Sequence, residues 1–275
     1  MVASVFFALM NLLVKYVPHI PAYELVFFRC LITLVITLTY LLRHKIPIFG
    51  VNKKFLILRG IFGIASLTMY FTSLQHLPLA NAVILQYLSP IFTTIIGIWL
   101  LQEKVRPIQW VFFLISFSGV ALIKGFDTGM EPIYFLLGLG GALGSGFAYN
   151  FVRKVRKTDH PMVVVFYFPL IGLPITGAIS AQNWVMPEGI DWAYLLGIGI
   201  FTQIAQVRMT KALQTSKIAT VSSVRYLGVL YALVFGYFFF HEIPSWATYA
   251  GIGLVLTGVL LNLFFKQKSL EKKSI

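Results

Sequence analysis

Four arginines, Arg29, Arg59, Arg208 and Arg225, fall inside or at the edges of long apolar runs in a chain of 275 residues. A guanidinium in hydrocarbon costs several kcal/mol and needs a compensating partner. Arg225 is the most demanding case. It lies seven residues into a run that begins near 218, roughly 10 Å deep at 1.5 Å per residue. No Asp or Glu falls in the interior of any run to neutralise it. Its options are backbone carbonyls, water in a cavity, or an anionic group on a solute. Arg59 and Arg208 lie within about one turn of their run ends, where snorkelling to the interface accounts for them. Arg29 follows Glu24 by five residues near the opposite face. It is open to pairing with Glu24, snorkelling or gating.

Tyr87 and Tyr226 each lie about eight residues into a run, about 12 Å deep, beside Gln86 and Arg225. Facing tyrosines can clamp a flat or cationic solute by their ring faces or hydrogen-bond a polar one. Interhelical packing is the equal alternative. Asn11 and Lys15 are four apart and share a helix face, as do Gln203 and Gln206, three apart. Tyr70, Tyr149, Ser222 and Ser223 are lesser candidates. The expected solute-binding set is therefore Arg225, Tyr226, Gln86, Tyr87, Tyr70, Asn11 and Gln206. Glu103 and Glu242 close two runs at opposite faces. With Arg29 they form the expected gating set, against the reading that both are surface carboxylates beside Lys104, Arg106 and His241.

Other chemistries find no support. His19, His44, His76, His160 and His241 fall in loops or at run ends, with no acid or cysteine at metal-ligand spacing. No His-Glu-x-x-His, paired intramembrane aspartates or activated serine is present, so no catalytic residue, metal or cofactor is expected and the chain is not read as an enzyme. The run Gly138, Gly140, Gly141, Gly144, Gly146 contains Gly140-x-x-x-Gly144, a close-packing signal. It lacks the preceding strand that a phosphate loop requires. Trp110, Trp246 and Tyr249 suit an interfacial aromatic belt.

The elements that must carry these residues follow from composition. Apolar residues make up 58% and charged residues 11%, against about 25% charged in a soluble domain. Such hydrophobicity excludes disorder, and a lone cysteine, Cys30, excludes a disulfide scaffold. The net charge of +13 suits cationic loops at a membrane better than nucleic acid. A bilayer core of about 30 Å needs roughly 20 apolar residues per helix. Ten runs qualify, near 2–17, 24–42, 55–75, 79–101, 108–123, 132–152, 162–181, 192–212, 218–240 and 245–265. They lack the alternation of membrane strands. The first is short, a helix that begins abruptly or one that lacks a few residues. With the N-terminus inside, sixteen of the 22 Lys and Arg fall in cytoplasmic segments and only Lys15 and Lys124 outside, the asymmetry of an inner membrane protein with both ends cytoplasmic. The connections are too short for an ATPase domain, which excludes a primary pump, and rings of like charge that would mark a channel are absent. The partners expected are a small-molecule substrate and the lipid bilayer; a monomer suffices.

Sliding the chain by 139 residues lays 75–122 over 214–261 without a gap. Gln75/Gln214, Ala80/Ala219, Tyr87/Tyr226, Leu88/Leu227, Gly97/Gly236, Glu103/Glu242, Gly119/Gly258, Val120/Val259 and Leu122/Leu261 coincide, and Gly60-Ile61-Phe62 falls on Gly199-Ile200-Phe201. Each copy then holds five helices. Five is odd, so the second copy enters the membrane from the opposite side. Inverted repeats give two conformations of similar energy, each open on one side, with a binding site near the midplane. That is the organisation of a secondary transporter.

In the first copy stand Leu77-Pro78-Leu79-Ala80-Asn81-Ala82, Ser89-Pro90, Gly97 and Glu103. In the second stand Lys211-Ala212-Leu213-Gln214, Arg225-Tyr226-Leu227, Gly236 and Glu242. In this order and duplicated, they resemble the EamA-type family of the drug/metabolite transporter superfamily. Lys15 and Glu24 with Phe27-Phe28-Arg29 add to the likeness, the latter resembling S-adenosylmethionine carriers. Val229 stands where the second copy would carry the counterpart of Pro90. The resemblance implies an all-α polytopic membrane protein with ten transmembrane helices in two inverted five-helix repeats. These would span 1–123 and 124–265, with a basic tail over 266–275. It also implies alternating access for a small organic metabolite, an amino acid, nucleotide-like or similar zwitterionic or anionic solute. With no buried carboxylate or histidine in the run interiors, exchange or facilitated diffusion is expected. The alternative is a proton-coupled exporter of drugs or amino acids that uses Glu24, Glu103 or Glu242.

Overall fold

A computed structural model describes residues 2–126, 131–215 and 227–271. Every regular element among them is a helix. In chain order they are α1 (Val2–Tyr16), α2 (Ala22–Arg43), α3 (Lys53–His76), α4 (Leu79–Gln86), α5 (Ser89–Leu100), α6 (Pro107–Phe126), α7 (Pro132–Lys154), α8 (Pro161–Ser180), α9 (Asp191–Thr215), α10 (Leu227–Phe240) and α11 (Trp246–Glu271). Seven segments are long and apolar enough to cross a membrane: α2, α3, α4 with α5, α6, α7, α8 and α11. The shorter apolar helices are α1 and α10. The described part of the run expected at 218–240 starts at Leu227.

The single helix expected over 79–101 is two. Pro90 has no N–H to offer the Gln86 carbonyl four residues back, and its ring crowds that carbonyl. The ladder is interrupted at Tyr87 and Leu88, which keep right-handed helical dihedrals. The interruption is therefore short. It sets Gln86 and Tyr87 at a point where the backbone is not wholly engaged in its own helix.

In lipid the hydrophobic effect does not hold helices together; close packing and interhelical hydrogen bonds do. The glycine run of α7 serves that purpose. A Cβ on Gly141 would lie 3.0 Å from the Ser66 carbonyl oxygen, and one on Gly144 would lie 2.9 Å from Ser66 Cβ. Two backbones thus approach closely along the α3–α7 seam. α6 and α11 use Gly119, Gly251 and Gly258 in the same way. α1 packs along α9, and α2 along α8. Exchange the halves, α1 for α7, α2 for α8, α3 for α9 and α6 for α11, and the α3–α7 pair becomes α9–α1. The α2–α8 and α6–α11 pairs map onto themselves.

Hydrogen bonds sort the connections into two groups. At one end Asp159 accepts from the backbone N–H of Val51 (2.7 Å), and Asn52 donates to Thr158 Oγ1 (2.7 Å). At the other, Gln75 donates to the carbonyls of Val17 and Ile20 (3.2 and 2.8 Å), His19 meets Asp191 (2.9 Å), and Val185 N–H donates to Glu24 (3.1 Å). The first group holds Arg43, Lys45, Lys53, Lys54 and Arg153 to Lys157, and is called the basic end below. Here His160 caps α8, its Nδ1 accepting from Met162 N–H at 3.2 Å. A cap of this kind needs an unprotonated nitrogen. Burial, followed by the charge of Lys211, holds the His160 pKa below its ordinary value.

Candidate functional site

A cavity opens between α1, α2, α3, α4, α7, α8 and α9. Its most consequential feature is a pair of arginines. Arg29 is seven residues into α2 from one end of the bundle, and Arg59 six residues into α3 from the basic end. Their guanidinium carbons lie 4.8 and 4.7 Å from the centroid of one ring, Phe168 of α8. Each arginine is only 4% exposed. Nε and Nη1 of both are buried with no hydrogen-bond partner among the described residues. Among the described residues no Asp or Glu lines the cavity.

Local sequence explains how Arg59 is aimed. Gly63, four residues on, shares its helix face. A Cβ on Gly63 would lie 2.9 Å from the Phe168 ring. The small residue lets α3 close on α8, and the arginine one turn earlier must turn into the same interface. Cation–π contact is worth ~2 kcal/mol when desolvated. That offsets part of the burial cost of each charge but supplies no counter-charge.

The rest of the lining is polar in a directional way. Ser66 Oγ donates to the Gly141 carbonyl (2.6 Å) and meets Ser145 Oγ (2.7 Å); Gln86 Nε2 donates to that same Ser145 oxygen (2.7 Å). This chain fixes the Gln86 amide. Its Oε1, and the Oδ1 of Asn11, are buried and carry no partner among the described residues. The cavity therefore presents donors with no acceptor at the arginines, and acceptors with no donor at Asn11 and Gln86. Tyr70, Tyr87 and Tyr149 add aromatic faces and hydroxyls.

Of the residues expected from sequence to bind solute, Asn11, Tyr70, Gln86, Tyr87 and Gln206 come together in this cavity, with Tyr149 beside them. Arg225 and Tyr226, with Ser222 and Ser223, lie outside the described residues. Gln203 lies apart from the lining; its Nε2 donates to Thr37 Oγ1 (2.9 Å), tying α9 to α2. Arg59 does not snorkel. It turns inward because Phe168 and the cavity give its charge a better surrounding than the apolar side of α3. Arg208, by contrast, is exposed. Arg29 lines the cavity rather than the bundle's end, and Glu24 is bonded to the 181–190 connection instead of to it. Sequence reasoning missed Arg59, Phe168, Ser66 and Ser145.

The two expected gating carboxylates sit at opposite ends. Glu242 pairs with Lys15 Nζ at 2.5 Å, and its Oε2 accepts from Leu79 N–H at 2.7 Å; Lys15 also donates to the Leu77 carbonyl at 2.5 Å. Four segments meet there: the ends of α1, α3 and α10 and the start of α4. At the basic end Glu103 pairs with Arg153, whose Nη1 donates to Asn150 Oδ1 at 3.1 Å. The two carboxylates are presented by the same turn. Glu103 N–H bonds the Gly97 carbonyl (3.1 Å) and Glu242 N–H the Gly236 carbonyl (3.0 Å). The residue before each, Gln102 and His241, has φ of +54° and +53°. Among the described residues no cluster of three or more His, Cys, Asp or Glu could hold a metal ion.

The pattern of the EamA-like transporter family matches residues 1–125 and again 132–264. The pseudopaline exporter CntI of Pseudomonas aeruginosa is 28% identical over 261 residues, covering 94% of this chain and 92% of that protein. Human solute carrier family 35 member G1 is 31% identical over 91% of this chain and 74% of its own length. The S-adenosylmethionine uptake transporter of Rickettsia felis is 22% identical over 93% of this chain and 87% of that protein. All three are transporters by name. The chain is an integral membrane protein, a membrane transporter of small metabolites, and it belongs to the EamA-like transporter family.

Proposed function

We propose that the protein is a secondary transporter that carries an anionic or zwitterionic organic solute across the membrane by alternating access. The observation that carries this reading is the Arg29–Phe168–Arg59 stack. Two buried guanidinium groups face a cavity with no carboxylate in its lining among the described residues. Leaving such charges unpaired costs stability, and a solute that brings the missing acceptors gains what the fold forgoes. The unpartnered oxygens of Asn11 and Gln86 suit an ammonium or hydroxyl on the same solute.

Alternating access rests on the duplication. The helix pairs that map onto one another when the halves exchange, the matched turns ending in Glu103 and Glu242, and the family pattern met twice all support two oppositely inserted halves. The seam between them holds the cavity. Latches at both ends, Lys15–Glu242 and Glu103–Arg153, are placed to break in turn. We place the chain in a bacterial inner membrane with both termini cytoplasmic, a reading that the basic connections support.

We favour exchange or facilitated diffusion. Proton-coupled export is the second reading, and Glu24 is what favours it: the carboxylate is fully buried, and its Oε1 carries no partner among the described residues. The test is a thermal-shift screen of the purified protein against anionic, zwitterionic and cationic metabolites. Stabilisation by anions or zwitterions, lost in Arg59→Gln, is the expected result. Stabilisation confined to cations would overturn the reading.

A further inference from the structure

Resting on the reading just given, we infer that the solute presents two negative charges to the arginine pair, as a small dicarboxylate or a phosphate monoester does. The inference follows from counting donors and charge. Arg29 and Arg59 each leave Nε and Nη1 buried and unpartnered. Each belongs to a planar guanidinium whose paired N–H edges match a carboxylate or phosphate. One monoanion that satisfies one fork leaves the other guanidinium buried and unneutralised. Both guanidinium groups rest on the same ring, within 5 Å of its centroid, so they repel each other across a short path in a poorly solvated site. Neutralising one alone therefore leaves most of the penalty in place.

Among the described residues no group of the lining supplies a negative charge. The lining polar residues are serines, tyrosines, asparagine and glutamines. Glu24, on the same helix as Arg29, is bonded to Val185 N–H and is absent from the lining. Glu103 and Glu242 are held at the two ends by Arg153 and Lys15. The cavity measures about 120 Å³, a space on the scale of a benzene-sized molecule. Succinate and glycerol 3-phosphate are of that size.

The test measures thermal stabilisation and affinity of the full chain in nanodiscs with four probes: succinate, glycerol 3-phosphate, butyrate and glycine. Succinate or glycerol 3-phosphate is expected to bind, the two arms distinguishing carboxylate from phosphate, with butyrate weaker by roughly tenfold or more. Arg29→Gln and Arg59→Gln are each expected to bring the dianion down to the butyrate level. Arg29→Lys and Arg59→Lys, which keep the charge and lose the fork, fall between. Each variant is first checked for a monodisperse, cooperatively melting species, and the Lys variants serve if a Gln variant fails that check. Equal binding of butyrate and succinate would overturn the inference and leave the anionic reading standing. Binding of glycine alone would overturn the inference while keeping a zwitterionic solute. Absence of binding by all four probes would overturn the inference.

Discussion

Arg29 and Arg59 reach the same aromatic ring from different helices, with guanidinium carbons 4.8 and 4.7 Å from the centroid of Phe168. Two like charges converge where no described residue of the lining supplies an opposite one. A structural arginine is normally paired and its loss is costly. Here buried charge is left unsatisfied among the described residues, and on the proposed reading that stability is given up for binding.

The first prediction is therefore one of sign. Arg59→Gln removes an unneutralised buried charge at the expense of one cation–π contact. The solute-free variant should melt at or above the parental temperature, by about 2–4 °C for each kcal/mol recovered, while losing transport. Melting in nanodiscs and uptake on the same preparation measure both. A variant that melts more than about 5 °C lower would make Arg59 a structural residue.

The second concerns the latches. Lys15–Glu242 and Glu103–Arg153 lie at opposite ends; on the proposed reading they are latches, so weakening one should open its own end and leave the other shut. In a Cys30→Ser background, Ala80→Cys reports on the Glu242 end and Ala148→Cys on the basic end; both positions are buried, 2% and 5% exposed. Charge-assisted hydrogen bonds of about 1.5–3 kcal/mol imply a rise in maleimide labelling of roughly tenfold or more. Glu242→Gln should raise it at Ala80→Cys, and Glu103→Gln at Ala148→Cys. If Glu103→Gln exposes both positions equally, the ends are not separate gates.

A third contrasts two glycines. A methyl on Gly228 would collide with the Tyr87 hydroxyl, the far end of a side chain that can swing aside. Gly228→Ala should alter KM by displacing Tyr87 and change the melting temperature little. On Gly258 the methyl would lie 2.5 Å from the Phe112 carbonyl oxygen and 2.8 Å from Ser116 N, backbone atoms that cannot yield without parting α6 from α11. Overpacking of this kind costs about 1–3 kcal/mol. Since neither α6 nor α11 lines the cavity, Gly258→Ala should lower the melting temperature and leave KM unchanged. Kinetics and melting curves on both variants decide it.

The extent to which sequence foretold these features has physical reasons. Helices are read from length and apolarity, so α2, α3, α6, α7, α8 and α11 fall where the runs place them. The split of α4 from α5 is implicit in Pro90, because a missing N–H interrupts a ladder wherever it stands. Gln86, Tyr87 and Tyr70 line the cavity, being polar or amphipathic groups counted to mid-span. Depth alone misplaces Arg59. About 9 Å from a helix end, a long side chain can reach the interface or the interior, and the choice depends on which face meets another helix. Gly63, one turn on, marks that face. Phe168 is one of 25 phenylalanines, and nothing in the sequence distinguishes it; only the meeting of α2, α3 and α8 does. Ser66 and Ser145 come together because Gly141 and Gly144 let α7 lie against α3.

We propose that solute crosses the membrane bound at the arginine pair. Uptake of radiolabelled succinate and glycerol 3-phosphate into proteoliposomes, with and without the same solute trapped inside, tests it most directly. Saturable uptake of at least one is expected, greatest with solute on the inside, with its loss in Arg29→Gln and Arg59→Gln reconstituted at equal density. Saturable uptake that proceeds unchanged in both variants would contradict it.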